Sequence, residues 1–236
     1  MEAPKLYLIP NTLGPGDPLK VMPETVKQII LPLRNFVVEN EKEARKFIKK
    51  IAPEIPQSEL KLYPLHKHVD RNQITTYLDP ICNAGLSMGL LSDAGVPGVA
   101  DPGAEIVQLA HSKGVSVKPL VGPSSILMAM MSSGMNGQSF AFNGYLPIDK
   151  QERKKMLLKF EKRSKEEGQA QSFIETPYRN NKLIDDLIQI LSPNTNLCIA
   201  CDISLDSEYI KSKPVKLWKK EKPDIHKRPA LFVFQA

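Results

Sequence analysis

The length, composition and charge of this chain exclude several classes of protein. Its 236 residues are 42% hydrophobic and 25% charged, which is typical of a globular protein with one large domain or two of roughly 110 to 120 residues. No window approaches the ~18 uncharged apolar residues of a membrane span, and the first residues lack the basic flank and apolar core of a secretion signal. Three cysteines are too few for a disulfide framework, so we expect a reducing, cytoplasmic location.

Positive charge is concentrated in the second part of the chain. The net charge is +6, and residues 149–236 carry 18 Lys and Arg against 13 Asp and Glu, whereas residues 1–148 carry 14 against 13. A basic surface suits a polyanionic partner such as RNA. It is equally typical of a solvated lysine-rich surface, and charge alone does not distinguish the two.

The first part of the chain alternates short apolar runs with helical patterns. This alternation predicts a parallel α/β sheet, because parallel strands are joined by crossover helices. The predicted strands are Lys5–Pro10, Phe36–Glu39, Ser87–Leu91 and Val115–Val117. The predicted helices are Pro23–Leu33, Glu41–Ile51, Arg71–Ala84 with an interruption at Pro80, and Ala104–Ser112.

The second part predicts another α/β layer of mixed strand direction. A Pro/Gly segment over residues 118–124 is a candidate junction, so we expect an N-terminal domain over residues 1–118 and a C-terminal domain over 119–236. The predicted helices are Ser125–Ser133, Asp149–Lys165 and Asn180–Leu191. The predicted strands are Phe140–Gly144, Ala170–Glu175, Asn196–Asp202 and Ala230–Gln235.

Three glycine- and proline-rich loops follow predicted strands. They are Gly14–Pro18, Ser92–Gly103 and Gly122–Ser125. Ligands of α/β sheets bind at the carboxyl ends of strands, and rigid loops with exposed backbone groups suit a ligand with many polar edges, such as an adenosine. Asp93 is placed to pair with ribose hydroxyls or a ligand amine. The alternative is that each loop is only a tight turn.

These loops resemble the motifs of a known family. "LGPGDP" at residues 13–18 is similar to the Gly-Pro-Gly-Asp-Pro signature of the tetrapyrrole methylase superfamily. "SDAGVPGVADPG" at 92–103, "VKPLVGPSS" at 117–125, "FNGYLP" at 142–147 with Arg153, and "FIETPYRNNKL" at 173–183 resemble one branch, the 16S ribosomal RNA (cytidine-2'-O)-methyltransferases. The resemblance covers residues 85–202. Tyr178 stands where this branch usually has histidine.

The resemblance implies an S-adenosylmethionine-dependent methyltransferase. It implies two α/β domains, a methyl donor folded in the cleft between them, a homodimer, and ribosomal RNA or the small ribosomal subunit as partner. The residues that we expect to line the donor pocket come from both domains. They are Asp93, Ala94, Gly95, Val96, Val99, Ser124 and Ser125 in the loops, with Ala200, Cys201, Pro229 and Ala230 from the second domain.

The sequence defines the catalytic and RNA-binding residues less closely than the donor-binding residues. A ribose hydroxyl acceptor needs a base or a strong hydrogen-bond acceptor, and Glu39, Glu175 and His68 are candidates, none of which is assigned. Four basic side chains are expected to hold RNA phosphates, although the alternative for each is a solvated helix face. They are Arg153, Lys154, Arg179 and Lys182.

Two metal-like motifs are interpreted as structural. Cys198 and Cys201 form a CxxC pair with no second pair, inside an apolar run, which favours strand packing over metal or redox chemistry. His66 and His68 would share one face of a strand, but no third ligand is near in sequence. We therefore expect no metal.

Two alternatives to the ribosomal RNA methyltransferase stay open. The chain departs from that branch after the first predicted strand, where Pro10–Pro18 is closer to the precorrin enzymes, and again at Val38–Arg45. The first departure favours a tetrapyrrole methylase. The altered loops also allow a non-catalytic RNA-binding or ribosome-assembly protein that keeps a degenerate fold.

Overall fold

The chain folds into two compact units. A computed structural model describes residues 3–66 and 69–236. The first unit ends at Ser124 and the second begins at Ser125. None of the helices in these residues has the length and apolar character needed to cross a membrane.

The first unit is a parallel five-stranded sheet covered by helices on both faces. Its strand order is β3-β2-β4-β1-β5, and every neighbouring pair is parallel. This confirms the predicted parallel sheet. The strands are β1 (Lys5–Ile9), β2 (Asn35–Val38), β3 (Lys61–Pro64), β4 (Met88–Leu91) and β5 (Ser116–Pro119). The helices are α1 (Glu24–Ile30), α2 (Glu41–Ile51), α3 (Arg71–Ile74), α4 (Asp79–Ala84) and α5 (Ala104–Ser112).

The sequence of the central strands follows from their double burial. Every residue of β2 and β4 is buried, because α1 and α2 pack on one face of the sheet and α4 and α5 on the other. Strands covered on both faces are continuously apolar. The first turn of α2 is fixed by Asn40, whose Oδ1 accepts the N–H groups of Lys42 and Glu43 at 3.0 and 3.3 Å.

The second unit is a mixed five-stranded sheet in the order β6-β7-β10-β8-β9. β6 and β7 are parallel, whereas β10 is antiparallel to both of its neighbours and β9 is antiparallel to β8. The strands are β6 (Phe140–Tyr145), β7 (Ala170–Ile174), β8 (Asn196–Cys201), β9 (Tyr209–Pro214) and β10 (Ala230–Gln235). The helices are α6 (Ser125–Ser133), α7 (Lys150–Glu167), α8 (Asn180–Ile190) and α9 (Val215–Trp218).

The predicted helix over residues 71–84 is interrupted, as expected, because α3 and α4 are separate helices. Pro80 lies in the first turn of α4, where its missing N–H costs no hydrogen bond. Two strands and the place of His66 differ from the sequence predictions. Strands β3 and β9 were not predicted, since both are edge strands whose own residues include lysine. β3 ends at Pro64, so His66 is not on a strand; Lys67 and His68 lie outside the described residues.

The strand order of the first sheet defines a crevice. β2 and β4 are neighbours, yet the chain leaves β2 toward β3 at one edge of the sheet and leaves β4 toward β5 at the other. The connections therefore diverge beyond the carboxyl ends of these two strands, which is where open α/β sheets bind ligands. Glu39 follows β2 at this position, and Ser92 and Asp93 follow β4.

Candidate functional site

Asn11 joins the loops that follow β1 and β4. Its buried side chain donates from Nδ2 to the carbonyl oxygens of Ser92 and Asp93 at 3.1 and 3.0 Å. Its backbone N–H donates to the carbonyl of Gly95 at 2.7 Å, and the N–H of Gly95 donates back at 3.2 Å. These four bonds fix the start of the 92–103 loop against the first loop. Nothing in the sequence near Asn11 marks it for this role, because its partners lie more than 80 residues away.

Gly122 and Pro123 bring the third loop to the same place. A Cβ atom on Gly122 would lie 2.2 Å from Cγ and 2.4 Å from Cβ of Pro10, so only glycine permits this approach. A Cβ on Gly95 would lie 3.8 Å from the carbonyl oxygen of Pro123. The three loops that the sequence predicted at strand ends therefore meet at one edge of the first sheet.

The 92–103 loop has a defined conformation. Gly95 has a φ of 67°, a region that glycine adopts without steric cost. Ala100 has a φ of 64°, which a residue with a Cβ adopts only at a cost. The N–H of Gly98 donates to the carbonyl of Pro102 at 3.2 Å and closes the end of the loop before α5. The loop is thus held by its own bonds and presents Asp93, Ala94 and Val99 to solvent.

A cavity of about 400 Å³ opens between the first loop, α2 and the start of the 92–103 loop. Its size is within the range of small-molecule sites. Carbonyl and amide groups of the loops share its wall with two lysines and two acids. The lining residues are Asn11, Thr12, Leu13, Gly14, Pro15, Glu43, Lys46, Phe47, Lys50, Asp93 and Ala94.

Three carboxylates cluster beside this cavity. The pKa of Asp101 is raised to about 6, chiefly by burial and then by the charges of Glu39 and Asp93, while a hydrogen bond with Ser92 opposes the shift. The pKa of Asp93 is raised by partial burial and by the charges of Glu39 and Glu43. The backbone N–H of Asp93 donates to Oε2 of Glu39 at 3.5 Å. Mutual repulsion at this edge favours a cationic ligand.

An Asp101→Asn variant is expected to be more stable than the unaltered chain at pH 8 and equally stable near pH 3. A carboxyl whose folded-state pKa is raised binds its proton more tightly in the folded chain, so stability falls as pH rises from 3.8 to about 6. Asparagine does not ionise, so the variant avoids this loss of stability. We expect the loss to be on the order of 1 kcal/mol, because the side chain is only partly buried and solvent screens its charge. Urea denaturation at both pH values measures the difference. A difference between the two proteins that does not change with pH would contradict the expectation.

The predicted pocket residues of the second unit lie together where β8 ends and β10 begins. Ala230 pairs with Cys201, and the N–H of Asp202 donates to the carbonyl of Pro229 at 3.0 Å. The side chains of Ala200 and Cys201 are fully buried, whereas Pro229 is exposed. Asp202 is bound by the Arg228 guanidinium at 2.8 Å. Their role in a donor pocket stays a prediction.

The four predicted phosphate ligands have different surroundings. Lys154 is exposed. Lys182 is 62% exposed, and its Nζ lies 3.4 Å from Asp186. Arg179 is partly exposed and paired with Glu175 at 2.6 Å. Arg153 is buried, and its guanidinium donates to Oδ2 of Asp186 at 2.9 and 2.6 Å and to the carbonyls of Pro147 and Ile148 at 2.9 and 2.7 Å.

The candidate bases also have different surroundings. Glu39 is half-buried within the carboxylate cluster. Glu175 is buried, and its Oε1 accepts from the N–H of Thr176 at 2.6 Å and from Arg179. His68 lies outside the described residues. Of the two candidates that the structure describes, Glu39 lies at the edge where the loops meet.

The CxxC pair packs within β8. Both thiols are fully buried, and three residues of separation place them on opposite faces of the strand. Burial raises the pKa of Cys198 to about 12 and that of Cys201 to about 11, so both stay protonated at neutral pH. Over residues 3–66 and 69–236, no group of three or more His, Cys, Asp or Glu is arranged to hold a metal ion.

Relatives of the chain share the name ribosomal RNA small subunit methyltransferase I. The protein of Vibrio cholerae is 28% identical over 214 residues, which cover 90% of this chain and 69% of the relative. That of Halalkalibacterium halodurans is 33% identical over 131 residues, covering 56% and 44%. That of Escherichia coli O157:H7 is 28% identical over 155 residues, covering 66% and 52%. The chain thus spans about half the length of the last two. No protein-family model matches it.

Solved structures share the fold. The methyltransferase CobJ superposes with a TM-score of 0.61 at 16% identity, covering 99% of this chain and 94% of the other. Uroporphyrin-III C-methyltransferase of Thermus thermophilus, in complex with S-adenosyl homocysteine, gives 0.55 at 16% identity and covers 98% and 97%. At these identities the likeness shows the fold, and it extends over both units. The chain therefore shares the fold of these methyltransferase structures, and its sequence is similar to the ribosomal RNA small subunit methyltransferases I.

Proposed function

We propose that the chain is an S-adenosylmethionine-dependent methyltransferase that modifies ribosomal RNA of the small subunit at the ribose 2'-hydroxyl of a cytidine. The similarity that extends over 214 residues to a ribosomal RNA methyltransferase carries the proposal. The solved methyltransferase structures are only 16–17% identical to the chain, so they support the fold and not the choice of acceptor. The relatives that are similar in sequence are named ribosomal RNA methyltransferases, and they support RNA as the acceptor.

The edge of the first sheet suits the methyl donor. Backbone groups of the three joined loops offer donors and acceptors for an adenosine, and the carboxylates of Asp93 and Glu39 favour its cationic end. We assign donor binding to the predicted loop residues Asp93 to Val96, Val99, Ser124 and Ser125. The roles of Ala200, Cys201, Pro229 and Ala230 and the position of the donor in a cleft stay predictions of the resemblance. When bound, the donor supplies an electrophilic methyl group on a sulfonium with a good leaving group.

The ribose 2'-hydroxyl must be oriented toward the methyl group of the donor, and a nearby group must accept its proton. Displacement at a sulfonium methyl is in line, so holding the ribose oxygen at the right angle supplies much of the rate. Glu39 is the candidate that lies at the loop edge, and we propose that its carboxylate accepts a hydrogen bond from the 2'-hydroxyl. Glu175 is already engaged by Arg179 and the N–H of Thr176.

Exposed basic side chains of the second unit suit the RNA backbone. Lys154, Lys182 and Arg179 reach solvent, and phosphate contacts position a protein on RNA without reading its sequence. We propose no phosphate contact for Arg153, because its buried guanidinium already donates four hydrogen bonds within the second unit.

We further propose a homodimer. Leu127 and Met131 lie four residues apart on α6, so they share one face of the helix, and they are 57% and 82% exposed. Adjacent exposed apolar side chains suit an interface with a second copy. Light scattering at a mass near twice 26.4 kDa would support the dimer, and the mass of one chain would exclude it.

We also propose a cytoplasmic location, which the low cysteine content favours.

An Asp93→Ala variant is expected to bind S-adenosylmethionine about tenfold more weakly than the unaltered chain while keeping its unfolding midpoint. Loss of one charge-assisted contact of ~1.4 kcal/mol gives this factor. Isothermal titration calorimetry measures both affinities, with Asp149→Ala as a control because Asp149 caps α7 in the other unit. Unchanged affinity would remove Asp93 from the site. Absence of any heat or thermal shift with the unaltered chain at millimolar donor would overturn the cofactor assignment and favour a binding protein.

A further inference from the structure

Hydrogen bonds join the loop that follows β7 to the segment that precedes β10 in the second unit. β10 is antiparallel to β7, so its first residues lie beside the end of β7. The N–H of Lys227 donates to the carbonyl of Pro177 at 3.0 Å, and Nδ2 of Asn180 donates to the carbonyl of Arg228 at 2.6 Å. These bonds fix the loop after β7 against the segment before β10. Side chains carried by the two segments are therefore held near one another.

An exposed aromatic and cationic cluster lies on these segments. The ring of Tyr178 is 70% exposed, and its centroid lies 6.0 Å from that of His226, with the planes at 78°. Nζ of Lys227 lies 5.7 Å from the Tyr178 centroid. His226 and Lys227 are themselves exposed. The tyrosine ring therefore has an open surface, and it is oriented by its two neighbours without being buried by them.

The charge of Lys227 is available to a ligand. Among the described carboxylates, none forms an ion pair with it, whereas Lys222 is paired with Asp185 at 2.6 Å. A cation beside an exposed aromatic ring is suited to binding a nucleotide, because the ring can stack on the base while the cation pairs with the phosphate. Duplex RNA does not offer this contact, because its bases are stacked and its deep groove is closed to side chains.

We propose that Tyr178, supported by His226 and Lys227, stacks on an unpaired base of a single-stranded RNA. The inference rests on the proposed function, since it names how the RNA substrate is held. It predicts that the chain recognises its substrate in a single-stranded region. It also assigns a base contact to a surface for which the sequence predicted only phosphate contacts, at Arg179 and Lys182.

The test uses fluorescence anisotropy with the full chain and two labelled probes, a ten-residue oligocytidine and an RNA duplex of the same length. The unaltered chain is expected to bind the single strand more tightly than the duplex. Tyr178→Ala is expected to weaken single-strand binding about tenfold, the size of one stacking contact, and to change duplex binding less than about twofold. Tyr178→Phe keeps the ring and is expected to bind as the unaltered chain does. Leu86→Ala removes an exposed apolar group from the other unit and serves as the control.

Several outcomes would overturn the inference. These are equal affinity of the unaltered chain for both probes, a Tyr178→Ala affinity equal to that of the unaltered chain, or equal losses on both probes. Melting temperature and donor binding of each variant report whether it folds, and a misfolded Tyr178→Ala is replaced by His226→Ala with the same expectation in direction. The donor titration separates this inference from the proposed function, because it tests the donor site of the unaltered chain without any RNA.

Discussion

Replacing Arg153 by methionine is expected to lower the free energy of unfolding by about 3 to 5 kcal/mol. Two N–H groups of the guanidinium donate to the same oxygen of Asp186, and the side chain of Asp186 is 2% exposed. Removal of one partner leaves a buried charge without compensation, which is among the costliest single changes in a folded chain. Lys182 lies 3.4 Å from the other oxygen and offsets part of the loss. Urea denaturation followed by circular dichroism measures the effect.

The matched control removes both charges together. In Arg153→Met with Asp186→Leu, no buried charge is left unpaired, so most of the lost stability is expected to return. A single variant within about 0.5 kcal/mol of the unaltered chain would show that the pair is not structural. In that case Arg153 would again be a candidate for binding phosphate.

Replacing Gly122 by alanine is expected to weaken S-adenosylmethionine binding by about tenfold or more and to lower stability by about 1 to 3 kcal/mol. The added Cβ would overlap Pro10 at 2.2 Å, and neither the proline ring nor the backbone can rotate away. The loop after β1 and the loop after β5 must then separate, which opens the edge to which we assign the donor. Titration calorimetry measures the affinity and thermal unfolding the stability.

Gly137→Ala is the control for this prediction. A Cβ at Gly137 meets no atom within 4 Å, so both donor affinity and stability are expected to stay near those of the unaltered chain. If Gly122→Ala bound the donor as tightly as Gly137→Ala, the contact between the two loops would not shape the donor site.

Local patterns predicted much of the fold. The helices Glu41–Ile51, Ala104–Ser112 and Ser125–Ser133 have the bounds expected from sequence, because capping residues and glycine stop signals mark their ends. The parallel first sheet followed from the alternation of strands and helices. β3 and β9 were not predicted, since each is an edge strand with lysine among its residues and no distinctive apolar periodicity.

The site was predictable in outline and not in its contacts. Glycine and proline marked the three loops, but nothing local marks Asn11 as the residue that ties two of them, because its bonds span 81 and 82 residues. Arg153 looked like its neighbour Lys154 on a basic helix, and only tertiary packing separates a buried ion pair from a solvated lysine. The pairing of Tyr178 with His226 likewise depends on the antiparallel placement of β10 beside β7.

Methyl transfer onto the small ribosomal subunit tests the central claim most directly. Subunits from a bacterial strain that lacks its own methyltransferase of this kind are incubated with the chain and with donor labelled on the methyl group, and precorrin substrates are assayed in parallel. We expect label in the 16S RNA at a single cytidine, where a methylated 2'-oxygen blocks alkaline cleavage of the next phosphodiester bond, and none in the tetrapyrrole. Label in the tetrapyrrole, or RNA that stays unlabelled while the donor binds, would contradict this expectation.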